Sequence, residues 1–231
     1  EILYKLQKKV VRTWLLEDGK RFVELYKTQY LYMMYVWGHS FEFRTEEDWA
    51  LMAEKGVSCI HNPVSNLKLG SGVAWIPAMK RAGVNIALGT DGVSSNNNHD
   101  MFEEMKFAAI LHNGVTHDPL ALLPRQVLAM ASRDGARALG RRTGQIVPGY
   151  TADLILVDFD RPSLTPCHSV EDNLVYSARG SDVVMNMARG KIIYKDGTFF
   201  TLDLERIKAE VETYALPLLF GDGASLADRR N

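Results

Sequence analysis

Three apolar segments of this sequence each lead into a residue that can bind a metal ion or transfer a proton. The segments are residues 32–38, 56–60 and 84–88. His39 and His61 directly follow the first two, and Asp91 follows the third in the run Gly-Thr-Asp-Gly. Imidazole and carboxylate groups are common zinc ligands and general acids or bases. Taken alone, each of these residues is also compatible with a purely structural role. A carboxylate in a run such as Gly-Thr-Asp-Gly, for example, often caps a turn.

The residues between these segments predict the elements that position the three polar ends. Thr45-Glu46-Glu47-Asp48 resembles a capping box, which predicts a helix that ends at Gly56. The further elements expected are a strand over 57–60, a loop to about Gly72, a helix over 74–82 and a strand over 84–88. Alternating strands and helices favour a parallel sheet with right-handed crossovers. The polar ends should then meet at the carboxyl edge of an α/β barrel, where active sites are built.

The remaining sequence predicts further helices and then a small β module. We expect a polar loop over 94–98, an amphipathic helix that packs Met101, Phe102, Met105, Ala108 and Ala109 into the core, and helices over 124–139 with a break at Asp134-Gly135. From Gly144 we expect a strand over 152–157, a hairpin over 182–200 that turns at Arg189-Gly190, a helix over 203–215 and a loose tail from Gly221. The predicted domains are therefore 1–143, 144–202 and 203–231.

Composition excludes several classes of protein. The chain has 231 residues, 46% of them hydrophobic and 24% charged, with a formal net charge of −1. This balance argues against nucleic acid or an acidic membrane surface as a partner. Two cysteines rule out a disulfide framework and are typical of a reducing cytoplasm. The apolar runs are shorter than the roughly 20 residues that span a bilayer.

Two long motifs resemble the amidohydrolase superfamily. They are the run from His61 to Gly72, HNPVSNLKLGSG, and the run from Leu88 to Gly92, LGTDG. The stretch from Ser94 to Met105 is similar to the 5-methylthioadenosine/S-adenosylhomocysteine deaminase group, and residues 144–154 resemble the return of the family to its β-sandwich domain. The fold class implied is α/β: the C-terminal part of a metal-dependent (β/α)8 barrel, about strands 6–8, followed by part of a small β-sandwich.

The resemblance also implies a reaction and a set of site residues. Members of the group use one divalent metal ion, zinc or alternatively iron, to hydrolytically deaminate an adenine-type nucleoside. Asp91 matches the aspartate after the eighth strand, which binds the metal and takes the proton of water. His39 lies near the position of the family's histidine after the sixth strand. The resemblance therefore implies that His39 is a catalytic residue and a metal-binding residue. His61, Ser95 and Asn96 are implied as substrate-binding or site-shaping residues.

Parts of the family pattern are absent from this sequence. It contains no His-x-His pair, and the metal-binding histidine of the fifth strand is absent as well. A barrel of about 250 residues cannot be closed by the portion present. We therefore expect a fragment that is inactive as a deaminase on its own. Two alternatives stay open: action on another heterocycle such as guanine or a triazine, and a non-catalytic scaffold or interaction fragment. Homo-oligomerisation is also left open.

Four other histidines lie outside the predicted strand ends, and three of them, His99, His112 and His117, fall on or beside the amphipathic helix. We expect solvated or capping roles for these three.

Overall fold

The computed structural model describes residues 34–35 and 45–221 of the chain. These fall into two compact units. The first comprises the described residues up to Thr151 together with Phe159–Asp182, and the second comprises Ala152–Asp158 and the described residues from Val183 onward. None of the helices in these ranges is both long enough and apolar enough to cross a membrane.

A parallel three-stranded sheet forms the centre of the first unit. Its strands, in spatial order, are β1 (Met34–Tyr35), β2 (Ser58–His61) and β3 (Asn85–Leu88). The two polar ends expected at His61 and Asp91 therefore belong to adjacent parallel strands, as predicted. Strands β2 and β3 are deeply buried: Cys59 of β2 and Ile86 of β3 are 0% and 1% exposed, and helices of the same unit pack against β3.

The helix before β2 forms as its sequence predicts. Helix α1 spans Glu46–Glu54, and the Thr45 hydroxyl accepts a hydrogen bond from the Asp48 amide at 3.2 Å. The Asp48 carboxylate in turn accepts from the Thr45 amide at 3.3 Å. This reciprocal pair satisfies two amides that the first turn would otherwise leave unbonded. Gly56 then adopts a positive φ and ends the helix.

Two segments that we expected to be loops are helical. Helix α2 (Pro63–Lys68) replaces the first part of the loop expected up to Gly72, and is followed by α3 (Ile76–Arg81). Proline at the first helical position explains this start, since its fixed φ is already helical and its missing N–H is not needed there. Helix α4 (Val93–Asn96) likewise occupies most of the polar stretch 94–98. Both helices are short and directly follow a strand of the sheet.

The helices after β3 pack as the amphipathic pattern indicates. Helix α5 spans Met101–Thr116 and buries Phe102, Met105, Ala108 and Ala109. His117 ends it in the left-handed conformation, so its predicted capping position is confirmed. Helices α6 (Pro124–Ala131) and α7 (Arg133–Ala138) are separated at Ser132 rather than at the predicted Asp134-Gly135. The first unit also includes α8 (Val170–Tyr176), which the sequence pattern did not predict.

An antiparallel four-stranded sheet forms the second unit. Its strands are β4 (Leu154–Val157), β5 (Val183–Ala188), β6 (Lys191–Lys195) and β7 (Thr198–Phe199). The predicted hairpin turn is confirmed: Arg189 and Gly190, between β5 and β6, both have positive φ, as a two-residue turn of this kind requires. Helix α9 (Leu204–Glu210) continues through a π-helical turn into α10 (Leu216–Phe220), past the predicted end at 215.

Candidate active site

The ends of β2 and β3 lie side by side at the carboxyl edge of the parallel sheet. His61 is the last residue of β2 and is in register with Leu88, the last residue of β3. The Gly89 amide continues the pairing by donating to the His61 carbonyl at 3.0 Å. The loops that follow the two strands are therefore held together from their first residues.

Asp91 is fixed at this edge by its side chain and by its neighbours. Its backbone is left-handed, with φ of 61°, a conformation that is uncommon for residues with a side chain and that aspartate adopts more readily than most. One carboxylate oxygen, Oδ2, accepts from the Ser65 hydroxyl at 2.7 Å, and Oδ1 accepts from the Gly92 amide at 2.7 Å. Ser65 is 1% exposed, whereas Asp91 is only partly buried. A carboxylate oriented by two donors and accessible on one side can bind a cation or accept a proton.

Gly89 provides close contact between the two loops. A Cβ placed on Gly89 would lie 2.5 Å from Oδ1 of Asn62 and 3.1 Å from Cγ2 of Ile60. Asn62 is itself buried, so its side chain occupies the space that a larger residue at 89 would need. Glycine at this position lets the loop that carries Asp91 pass directly against the end of β2.

The buried carboxylate of Glu104 forms hydrogen bonds with both of the segments that follow β2 and β3. Glu104 of α5 is 1% exposed and accepts from the Asn96 side-chain amide at 2.5 Å and from the Val64 backbone amide at 3.3 Å. Burial raises the pKa of Glu104 to about 7. The two hydrogen bonds act in the opposite direction, and the charges of Glu103 and Asp91 raise the pKa further.

His61 lies inside the fold rather than at its surface. It is 2% exposed, and its Nε2 lies 3.0 Å from Nε2 of His112, which is also 2% exposed. Burial lowers the pKa of both imidazoles, to about 4 for His112, and the charge of His112 lowers that of His61 further. Nδ1 of His61 has no hydrogen-bond partner among the described residues. The expectation of a solvated or capping role for His112 was wrong, because α5 turns this residue toward the sheet.

The other site residues expected from the sequence are placed as follows. Ser95 lies in α4, is partly exposed and donates its hydroxyl to the Gly92 carbonyl at 3.0 Å, so it adjoins the loop that carries Asp91. Asn96 is buried, and its side-chain amide also donates to the Thr90 carbonyl at 2.6 Å. His39 lies outside the described residues. The substrate contacts expected for His61, Ser95 and Asn96, and the catalytic and metal-binding roles of Asp91 and His39, stay predictions.

The described residues supply one suitable metal ligand rather than a complete metal site. Within them, no three histidine, cysteine or acidic side chains cluster closely enough to hold an ion. Catalytic zinc ordinarily has three protein ligands and an open position. The oriented, partly exposed Asp91 carboxylate fits one of these places.

Sequence reasoning missed Ser65, Glu104 and His112 as parts of this region. Ser65 and Glu104 both lie in the stretches that carry the family resemblance, but polar residues there gave no sign of which would turn inward. The spacing of His112 from Ala108 and Ala109 was the available signal, because positions three or four apart on a helix share a face.

The parallel sheet and its helices are those of an α/β protein. Its candidate site lies at the carboxyl ends of the strands, where Asp91 is held. The match to known families is consistent with this description: residues 19–193 match the amidohydrolase family. The chain belongs to that family.

Individual relatives are similar over most of this chain. The 5-methylthioadenosine/S-adenosylhomocysteine deaminase of Moorella thermoacetica is 52% identical over 169 residues, which are 72% of this chain and 40% of the relative. The 5′-deoxyadenosine deaminase of Methanosarcina mazei is 49% identical over 175 residues, 76% of this chain and 40% of the relative. The chain thus spans about 40% of the length of these curated relatives.

A solved structure shows a similar fold. The adenosine deaminase from Xanthomonas campestris with bound zinc is 42% identical and has a TM-score of 0.70. The similarity covers 72% of this chain and 38% of that protein.

Proposed function

We propose that this chain forms part of a metal-dependent amidohydrolase that hydrolytically deaminates an adenine-type nucleoside. The observation that carries the proposal is the oriented Asp91 carboxylate, within the stretch that matches the amidohydrolase family. The substrate class rests on the similarity to the deaminases of 5-methylthioadenosine, S-adenosylhomocysteine and 5′-deoxyadenosine.

Asp91 is the residue of this chain that we propose takes part in the chemistry. A divalent metal, zinc or alternatively iron, would when bound lower the pKa of water toward neutrality and provide hydroxide. Asp91 would contribute one oxygen to that metal, accept the proton of the attacking water and return it to the departing ammonia. The Ser65 hydroxyl and Gly92 amide keep the carboxylate turned for both tasks, since each donates to a different oxygen.

The neighbouring residues have supporting roles in this proposal. Ser95 is our candidate for a substrate contact, because it is partly exposed and lies in α4, directly after the loop that carries Asp91. The burial of His61 and Asn96 favours positioning roles over direct contact with substrate. His39 is retained as the further catalytic and metal-binding candidate.

The architecture of the whole protein is part of the proposal. The parallel sheet is consistent with part of a (β/α)8 barrel and the antiparallel sheet with part of a β-sandwich. Because the chain spans about 40% of its relatives, we propose that residues beyond it complete the metal site. A cytoplasmic location agrees with the small number of cysteines.

Ammonia release tests this function directly. The 231-residue chain, and any longer protein that contains it, would be loaded with zinc and offered 5′-methylthioadenosine, S-adenosylhomocysteine and 5′-deoxyadenosine, with guanine and a chlorinated triazine for comparison. We expect turnover of the adenine nucleosides only, and only in a protein that supplies the remaining ligands. Preferred turnover of guanine or the triazine would contradict the substrate class, and no turnover by the longer protein would favour a scaffold.

A further inference from the structure

Glu104 is a buried carboxylate that the proposed chemistry does not use. It is the fourth residue of α5 and is 1% exposed. Glutamate is rarely buried unless its oxygens are paired, because moving the charge out of water carries a large free-energy cost. Its two oxygens are paired here with separate donors.

The two donors come from the loops that follow the two adjacent strands. Val64, in the first turn of α2 after β2, donates its backbone amide to Oε2. Asn96, the last residue of α4 after β3, donates its side-chain amide to Oε1. A single side chain thus fastens both loops to α5.

Each of the two loops connects Glu104 to Asp91 through one neighbouring residue. In the first loop the residue next to Val64 contacts Asp91, and in the second loop Asn96 contacts the residue next to Asp91. Ser65 adjoins Val64 and donates its hydroxyl to the Asp91 carboxylate. Asn96 donates to the carbonyl of Thr90, the residue before Asp91, as well as to Glu104. The side chain of Asp91 is held through the first loop, and its left-handed backbone is held through the second.

We propose that Glu104 is a positioning residue that sets the orientation of the Asp91 carboxylate by binding Val64 and Asn96 at once. The kinetic consequence of this inference depends on the proposed function, whereas the structural consequence does not. The influence of the Asp91 charge on the pKa of Glu104 agrees with their proximity.

The substitution Glu104→Gln tests the need for two acceptor oxygens. Glutamine has nearly the same shape but presents one acceptor and one donor, so it must direct its NH2 group at either the Val64 amide or the Asn96 amide. Glu103→Gln is the matched control, because it removes the same charge from the adjacent residue, whose carboxylate accepts from Asn98 and contacts neither of these donors.

The first readout is the amide resonance of Gly92 in 15N-labelled protein. This amide donates to Oδ1 of Asp91, so its proton shift reports the orientation of the carboxylate without metal, substrate or turnover. We expect an upfield shift in Glu104→Gln and the wild-type position in Glu103→Gln. A folded Glu104→Gln protein with an unchanged Gly92 resonance would overturn the proposal.

The second readout is the separation of kcat from KM in a protein that shows deaminase activity. Supporting residues around metal ligands typically contribute about 10- to 100-fold to metal affinity or activity. We expect Glu104→Gln to lower kcat in this range with KM close to wild type, and Glu103→Gln to retain both. Equal kinetics in the two variants would also count against the proposal. Absence of deaminase activity in every protein tested would defeat the proposed function while the Gly92 resonance still decided the role of Glu104.

A second substitution applies if Glu104→Gln does not fold. Asn96→Ser removes the side-chain amide that joins Glu104 to Thr90 and leaves the Val64 contact in place. We expect the Gly92 resonance to move in the same direction by a smaller amount. A folded Asn96→Ser protein whose Gly92 resonance does not move would overturn the proposal as well.

Discussion

The ends of β2 and β3 are in register at the carboxyl edge of the sheet, but their polar residues have different surroundings: His61 is buried and Asp91 is partly exposed. His61 is the last residue of its strand, shares a buried face with Cys59, and has its imidazole paired with His112. Asp91 lies three residues beyond the last residue of β3 and stays partly exposed. Side chains alternate between the two faces of a strand, so a residue inside the strand takes the face that its position dictates. A residue beyond the strand can be turned by its loop, and here a left-handed backbone does so.

This difference assigns separate tasks to the two strand ends. The β2 end provides a neutral, buried pair that links the sheet to α5, because burial keeps both imidazoles uncharged near neutral pH. The β3 end carries Asp91, the partly exposed residue that we propose takes part in the chemistry. The residues between them, Ser65, Asn96 and Glu104, hold the second end in a fixed relation to the first.

The largest expected effect is the loss of turnover in Asp91→Asn. The amide keeps the shape of the side chain but cannot accept a proton, so kcat should fall by about 10²- to 10⁴-fold, the range that general acid–base catalysis contributes. Steady-state ammonia release measures this. Asp118→Asn is the control, because Asp118 is exposed and its carboxylate accepts from the neighbouring Leu120 amide. This variant should retain full activity. Equal rates in both variants would remove Asp91 from the mechanism.

The second prediction concerns the pH dependence of stability. The pKa values of His61 and His112 are lowered in the folded protein, so below the ordinary value of 6.5 the unfolded chain takes up protons that the folded chain does not. The stabilisation from His112 is present above about pH 6.5 and is lost as the pH falls toward its folded pKa of about 4, by about 1.4 kcal/mol per pH unit. His61 acts in the same direction. Glu104 opposes this between about pH 4.5 and 7, because its raised pKa favours the folded state on acidification.

Urea unfolding of the wild type at several pH values between about 6.5 and 4.5 measures the net slope. Because two histidines oppose one glutamate, we expect the three groups together to lower the free energy of unfolding as the pH falls through this range. His112→Gln should flatten the dependence, and Glu104→Gln should make it steeper. Parallel curves for all three proteins would show that these buried groups do not carry the dependence.

The third prediction concerns the contact between the two loops at Gly89. The Cβ of Gly89→Ala would overlap with the buried Asn62 side chain, and overpacking of this kind ordinarily costs about 1–3 kcal/mol of unfolding free energy. Gly114→Ala is the matched control, because no atom lies within 4 Å of a Cβ at this position in α5. Alanine there should stabilise the helix by about 0.5–1 kcal/mol. Thermal or urea unfolding that gave both variants the same sign would contradict the close contact.

Much of the fold follows from local sequence signals, whereas the arrangement of the site depends on tertiary contacts. The capping box at Thr45 and the turn at Arg189-Gly190 each have a local physical cause, and each is confirmed. The strands expected over 57–60 and 84–88 are found as Ser58–His61 and Asn85–Leu88, so the first of them includes His61 rather than ending before it. The helix that begins at Pro63 was missed, because six polar and apolar residues carry no clear periodicity.

Contacts between distant residues explain what could not be predicted in the site. Glu104 lies 40 residues from Val64, and His112 lies 51 residues from His61, so neither pair leaves a sign in the local pattern. The burial of His61 was accessible to sequence reasoning, since Cys59 two residues earlier shares its face. The resemblance to the amidohydrolases identified Asp91 but could not indicate what orients it.

Metal content is the most direct test of the contrast between the two strand ends. It would be measured by elemental analysis of Asp91→Asn, His61→Gln and the wild type, in whichever protein shows deaminase activity. We expect about one zinc per chain in the wild type and in His61→Gln, as for a single catalytic site, and its loss in Asp91→Asn. Wild-type metal content in Asp91→Asn, with loss in His61→Gln, would contradict the assignment of the chemistry to the end of β3.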